Sequence, residues 1–185
     1  MTTAGTEAIN KNAWPEQILA VLKAVQVRQV VYVPDAGHAR LIELCQMADG
    51  INTVPLTTEE EGIAVLAGAW LGGERGVLLM QSSGVGNCLN MLAMVRECRF
   101  PFLTLVTMRG EWGEFNPWQL PMGQSAARLL RDMGVIVQPV NEAQQVGETV
   151  NAAARLAFDA YRAVAVLISQ RIIGFKDWTT TGNSR

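Results

Sequence analysis

The chain is poor in the side chains that mark many chemistries. Among 185 residues there is one histidine, His38, and there are three cysteines. Cys45, Cys88 and Cys98 are odd in number, lie in apolar surroundings and show no CxxC spacing, which argues for buried thiols in a reducing compartment and against a disulfide frame. No cluster of His, Asp or Glu has ligand spacing, so no metal is expected on this chain's own side chains. Basic and acidic residues number 15 and 17, the net charge is −2, and no Lys/Arg block occurs, so neither nucleic acid nor an anionic membrane is an expected partner. No run reaches the ~18 apolar residues of a membrane span, and the polar segment 1–11 lacks the apolar core of a signal peptide. A cytoplasmic protein is the expectation. Repeats, low-complexity tracts and linkers are also missing.

What the chain does have is apolar residues, 49% of the total, enough for one domain over 1–185 with an ordered core of about 12–175. Asn12 reads as an N-cap, with Ile18, Leu19, Leu22 and Val25 at helical spacing to near Ala24. Segment 27–33 is β-branched and nearly continuous, as a strand covered on both faces must be. A loop at 34–38, a helix over 39–47 and a strand over 51–56 follow. Further strands are expected at 77–80, 100–107, 134–139 and 163–169, with helices to about Arg96, over 123–133 and over 142–161. The tail 179–185 is polar and expected to fray. Six strands alternating with helices predict an α/β fold, a doubly wound, mainly parallel six-stranded sheet with helices on both faces. Ligands of such sheets meet the loops at the carboxyl ends of the strands. Loops 34–38, 57–61, 81–87 and 107–118 should gather there, and the last, with Arg109, Glu111, Trp112, Glu114, Phe115 and Trp118, is too long and aromatic to be idle.

The stretch 57–87, TTEEEGIAVLAGAWLGGERGVLLMQSSGVGN, concentrates the unusual residues. Glu59, Glu60 and Glu61 open a helix, where the dipole favours negative charge. Gly62, Ala64, Ala67, Gly68 and Ala69 leave that helix so little bulk that another backbone or a flat ligand can approach. Trp70 beside these small residues predicts an apolar patch that awaits a partner. The turn Gln81-Ser82-Ser83-Gly84-Val85-Gly86-Asn87 can present backbone amides, but it lacks the Lys of a Walker loop and the third Gly of a dinucleotide fingerprint. Ser83 or Asn87 could equally cap the next helix.

Taken together, the acidic helix start, the small-residue helix with an aromatic ten residues on, and MQSSGVGN followed by RGEWGE resemble the pyrimidine-binding domain of thiamine diphosphate-dependent decarboxylases. Within that group they most resemble the alpha subunit of sulfopyruvate decarboxylase and the matching half of phosphonopyruvate decarboxylase. The resemblance runs from about Trp14 to about Ile173. It implies one glutamate that exchanges a proton with the cofactor's aminopyrimidine, a general acid-base role. The family's Gly-aromatic pair nine and ten residues later is met by Ala69-Trp70 if the glutamate is Glu60; Glu61, followed by Gly62, is the rival register, and Glu59 is third. Three exposed helix-start carboxylates would be the reading without the rest of the motif.

By the same resemblance, Ser82, Ser83, Gly84, Val85, Gly86 and Asn87 border the cofactor, while Asp35, His38, Gln81 and Arg109 line the pocket of a short anionic 2-oxo acid. His38 could take part in catalysis; a surface or hydrogen-bonded histidine is the alternative. Relatives carry a Ser-Leu-Leu type continuation after Pro-Asp where this chain has Ala36-Gly37-His38. Arg109 could grip a sulfonate or phosphonate through its planar fork, or simply pair with Glu111 or Glu114. The family holds the diphosphate through Mg²⁺ on a Gly-Asp-Gly motif, and the nearest match, Asp49-Gly50-Ile51-Asn52, lacks the first Gly and sits too early. A beta subunit carrying that motif, in an alpha-beta hetero-oligomer, is therefore implied. Two other readings stand beside this one: a non-catalytic orphan domain that binds or regulates a partner, and a transferase that uses the glycine turn for phosphate.

Overall fold

The computed structural model describes residues 13–174. The proposed N-cap Asn12 and the tail 179–185 lie outside them; the position before the first helix is Ala13, without a side-chain cap. In chain order the elements are α1 (Trp14–Ala24), β1 (Val27–Tyr32), α2 (Ala39–Gln46), β2 (Asn52–Pro55), α3 (Glu59–Leu71), β3 (Arg75–Gln81), α4 (Gly84–Cys98), β4 (Phe102–Thr107), α5 (Leu120–Asp132), β5 (Ile136–Val140), α6 (Val146–Phe158), β6 (Ala163–Ile168) and α7 (Gln170–Ile173). All six strands are parallel, in the order β2-β1-β3-β4-β6-β5.

The continuous apolar runs are explained by two cores, one on each face of the sheet. Successive strand residues point to opposite faces. Val77, Leu79, Leu103 and Leu105 join Ile18 and Leu22 of α1, Leu41 of α2 and Val150 of α6. Their neighbours Leu78, Met80, Phe102 and Val106 join Ile63 of α3, Leu92 of α4 and Leu130 of α5. Each fully buried Leu- or Phe-sized side chain contributes about 1.5–3 kcal/mol, so a strand apolar at every position stabilises both layers. The chain winds from β1 out to the β2 edge, returns through α3 to β3, and then proceeds to the other edge. The reversal falls between β1 and β3, the kind of crevice in which open α/β sheets bind ligands.

Two helix boundaries differ from expectation for identifiable reasons. The fifth helix begins at Leu120, not Gly123, because a 3₁₀ turn at Pro117–Gln119 leads into it and Pro121 suits a first helical turn. The segment 142–161 divides into a 3₁₀ turn (Ala143–Gln145) and α6, and the chain leaves the helix before Tyr161, whose φ of 55° is left-handed. Cys98 is exposed, unlike Cys45 and Cys88, because it ends α4 on the side away from the core. Trp70, expected to await a partner, packs edge-on against Tyr161 with centroids 5.5 Å apart. At Gly62 an added Cβ would lie 2.7 Å from Leu78, so the small residues of α3 do let it press onto the sheet. No helix among the described residues is long and apolar enough to cross a membrane.

Candidate functional site

The loops after β1, β3 and β4 meet at the carboxyl edge beside the reversal. Asp35 accepts hydrogen bonds from Thr107 Oγ1 (2.5 Å) and Gln81 Nε2 (3.2 Å), and Ser83 Oγ donates to Gln81 Oε1 at 2.9 Å. One carboxylate thus ties three strand ends together. Ser82 extends the tie: its hydroxyl accepts from the Arg109 amide at 3.1 Å, and its own amide donates to the Thr107 carbonyl. Asp35, Gln81, Ser82 and Ser83, all named from sequence, therefore lie in one connected network.

The acidic turn is sorted by its contacts. Glu61 is exposed and reaches back to accept from the Thr57 amide at 2.9 Å, a helix-start bond of the capping-box kind. Glu59 is buried beneath the glycine turn, where Asn87 Nδ2 donates to its Oε2 at 2.7 Å. The contact is close: a Cβ on Gly84 would lie 2.4 Å from Glu59 Cγ and Cδ. Glu60 is half-buried and, among the described residues, has no hydrogen-bond or ion-pair partner. It lies near Cys88, whose thiol is pushed up to about 12 by burial first and by the charges of Glu59 and Glu60 after it. That thiol is inert at neutral pH.

The turn itself is no plain cap. Ser83 occupies the N-cap position of α4 but its hydroxyl bonds Gln81, and Asn87 is spent on Glu59. Gly84 and Val85 are buried, Val85 within the core, so the side chain of Val85 cannot meet a ligand; Ser83 and Gly86 are half-buried and Asn87 is exposed.

His38 takes the hydrogen-bonded alternative. Its ring is fully buried, with Nε2 3.1 Å from the Leu105 carbonyl, because the 34–38 loop folds it under the edge and against β4. A carbonyl only accepts, so Nε2 carries the proton and Nδ1 is left without a partner among the described residues. Burial lowers the pKa, with the charge of Asp35 opposing, so the neutral ring is favoured.

Arg109 takes the second of its two expected roles, pairing with Glu114. Its Nε and Nη2 donate to the two oxygens of Glu114, each at 2.6 Å, and its guanidinium lies over Phe115. The fork proposed for a substrate anion is taken. Glu114 further accepts from the amides of Gly110 and Asn116 and from Gln170 Nε2, while Gln170 Oε1 receives the amides of Glu111 and Trp112. The Arg109 bonds come first among the causes that hold Glu114 down at about 2. Gln170, just beyond β6, was not singled out from sequence; only its position at a strand's carboxyl end pointed to it. Glu59, the third candidate among the three carboxylates of the sequence motif, is the one that supports the turn. Among the described residues no three His, Cys, Asp or Glu side chains gather as a metal centre.

The family model for the thiamine pyrophosphate enzyme N-terminal TPP-binding domain matches residues 14–116. The sulfopyruvate decarboxylase subunit alpha of Methanothermobacter thermautotrophicus is 32% identical over 154 residues, which cover 83% of this chain and 93% of that protein. The phosphonopyruvate decarboxylase of Streptomyces viridochromogenes is 35% identical over 115 residues, 61% of this chain and 29% of that one. Among solved structures, 2-oxoglutarate:ferredoxin oxidoreductase from Magnetococcus marinus with 2-oxoglutarate, coenzyme A and succinyl-CoA bound shares the fold, with a TM-score of 0.72 and 18% identity over 86% of this chain and 29% of that one.

Proposed function

The chain belongs to the thiamine pyrophosphate enzyme N-terminal TPP-binding domain family, and from that premise we propose that it is, over its whole length, the pyrimidine-binding alpha subunit of a decarboxylase. Its substrate is a short anionic 2-oxo acid such as sulfopyruvate or phosphonopyruvate, the acids named for the two relatives. The observation that carries this reading is the division of labour among three adjacent carboxylates. Glu59 and Glu61 are spent on Asn87 and on the Thr57 amide, while Glu60 stands half-buried with its hydrogen-bonding capacity open, beside the glycine turn. A pyrimidine ring needs such a carboxyl group at its edge and a low-relief surface for its face. Glu60 and the half-buried Ser83 and Gly86 fit that need.

Thiamine diphosphate, when bound, would supply a carbon nucleophile for the oxo group and a cationic ring to take up the electron pair left when carbon dioxide departs. Glu60, half-buried and with its Oε atoms open, would hold the edge of the pyrimidine ring and offer those atoms for general acid-base exchange. Glu59, through Asn87 and Gly84, fixes the distance between the first turns of α3 and α4 and so aims Glu60. The Asp35 network holds the loop ends that border the substrate. His38 acts at one remove, positioning the 34–38 loop through Leu105, and Arg109 shapes the 108–119 loop through Glu114, leaving its Nη1 edge to meet an anion.

We assign Mg²⁺ and the diphosphate to a second, beta subunit with the Gly-Asp-Gly motif. Two observations support this: the Methanothermobacter relative is named as a subunit alpha, and the Streptomyces relative is matched over only 29% of its length. The unpaired thiols suit a cytoplasmic alpha-beta hetero-oligomer. The test is co-expression with such a subunit and assay of carbon dioxide release from both acids. In the assembled complex Glu60→Gln should lower turnover by at least ~100-fold, with Glu59→Gln and Glu61→Gln as register controls. Wild-type C2 proton exchange in all three variants, with cofactor bound, would overturn the assignment.

A further inference from the structure

At the opposite edge of the sheet, where β4, β5 and β6 begin, the structure holds a cavity of about 280 Å³ that the proposed chemistry does not use. We infer that it is a binding site for a compact anion carrying an apolar or aromatic group. Three arginines, Arg96, Arg99 and Arg162, line it, and no Asp or Glu does. Arg96 has only Glu97 nearby, at 4.0 Å and with both side chains largely exposed, a pairing of little strength. Among the described residues Arg99 and Arg162 have no carboxylate partner.

Apolar residues, among them Phe100, Met133 and Val135, share the lining with the three arginines. An apolar lining beside the cations lowers the local dielectric and strengthens the attraction of a guanidinium for an anion held against it. The volume would hold about nine waters at the bulk share of ~30 Å³ each, or one aromatic ring with an attached phosphate or carboxylate. A bare phosphate would leave the apolar lining unused.

The backbone supplies an independent sign. Only three non-glycine residues among those described have positive φ, and two of them, Arg99 (56°) and Tyr161 (55°), line this cavity. Left-handed backbone favours glycine, and Arg99 stands at the end of α4 where glycine is the common choice. Side chains kept at such positions often serve a site. The simpler account of Arg96 and Arg99, cations that meet the negative end of the α4 dipole, leaves Arg162 and the apolar lining unexplained.

The test is calorimetric titration of the full chain with phenyl phosphate, inorganic phosphate and benzyl alcohol. Phenyl phosphate should bind at least ~10-fold more tightly than either of the others, and more weakly as salt is raised. Arg162→Ala should weaken it by about 5-fold or more, and so should Arg99→Gly, which suits the left-handed backbone and therefore keeps the fold. Arg128→Ala, on α5 and paired with Asp132, should change nothing. The inference is overturned if phenyl phosphate does not bind, if inorganic phosphate binds as tightly, or if neither Arg99→Gly nor Arg162→Ala reduces binding.

Discussion

The 108–119 loop and the first turn of α3 carry carboxylates at the same edge of the sheet and use them in opposite ways. Glu114 is nearly inaccessible and accepts from Arg109 twice, from the Gly110 and Asn116 amides and from Gln170; its capacity is filled from within. The α3 turn fills two of its three carboxylates and leaves Glu60 open. A carboxylate that the fold has satisfied acts on structure, and one that the fold has positioned without satisfying is available for chemistry. Sequence company does not separate the cases, since both motifs are glutamates beside glycine.

The same isosteric change should read differently in the two regions. Glu114→Gln removes the charge from a buried, charge-assisted cluster and should lower the free energy of unfolding by about 3 kcal/mol, measured by urea denaturation at pH 7. The effect carries its own pH signature. Glu114 is held at about 2 against an ordinary 4.5, so its contribution is full above pH 4.5 and disappears as pH falls towards 2; that gap corresponds to about 3 kcal/mol. The wild type and Glu114→Gln should therefore converge in stability on acidification, and a difference that persists at pH 2 would show that the cluster is held by packing rather than by charge.

Gly84→Ala probes the satisfied part of the other region. The new methyl would force the Glu59 carboxylate aside and break its bond to Asn87, a cost of about 1–2 kcal/mol. In a Glu59→Ala background the same change should cost less, because the crowded group is gone. The smallest expected effect is on the stability of Glu60→Gln, within about 0.5 kcal/mol of wild type. A large loss there would make Glu60 structural and erase the contrast with Glu114.

The fold was legible because every strand of a doubly covered sheet must be apolar along its length, and residues such as Val77 to Met80 leave no other reading. The meeting of Asp35, Gln81 and Ser83 was legible from strand ends alone. The orientations were not. Consecutive residues in a helix point about 100° apart, so the sorting of Glu59, Glu60 and Glu61 depends on where Gly84 of α4 comes to rest. His38 is held by a carbonyl 67 residues away, and Arg109 is claimed by a carboxylate that also needs Gln170 from beyond β6. Local pattern carries no record of such distant partners.

The position of β6 between β4 and β5 governs how the molecule can be made. Residues 102–107 and 136–140 leave the ribosome before the strand that lies between them, which pairs with both over 163–168. Until it arrives, β4, buried at every position in the finished sheet, has a bare edge, and β5 has no neighbour. A nascent chain halted near residue 145 should thus be sticky and dependent on chaperones, and the last quarter of the sequence sets the moment at which the carboxyl edge, with everything assembled on it, first becomes rigid.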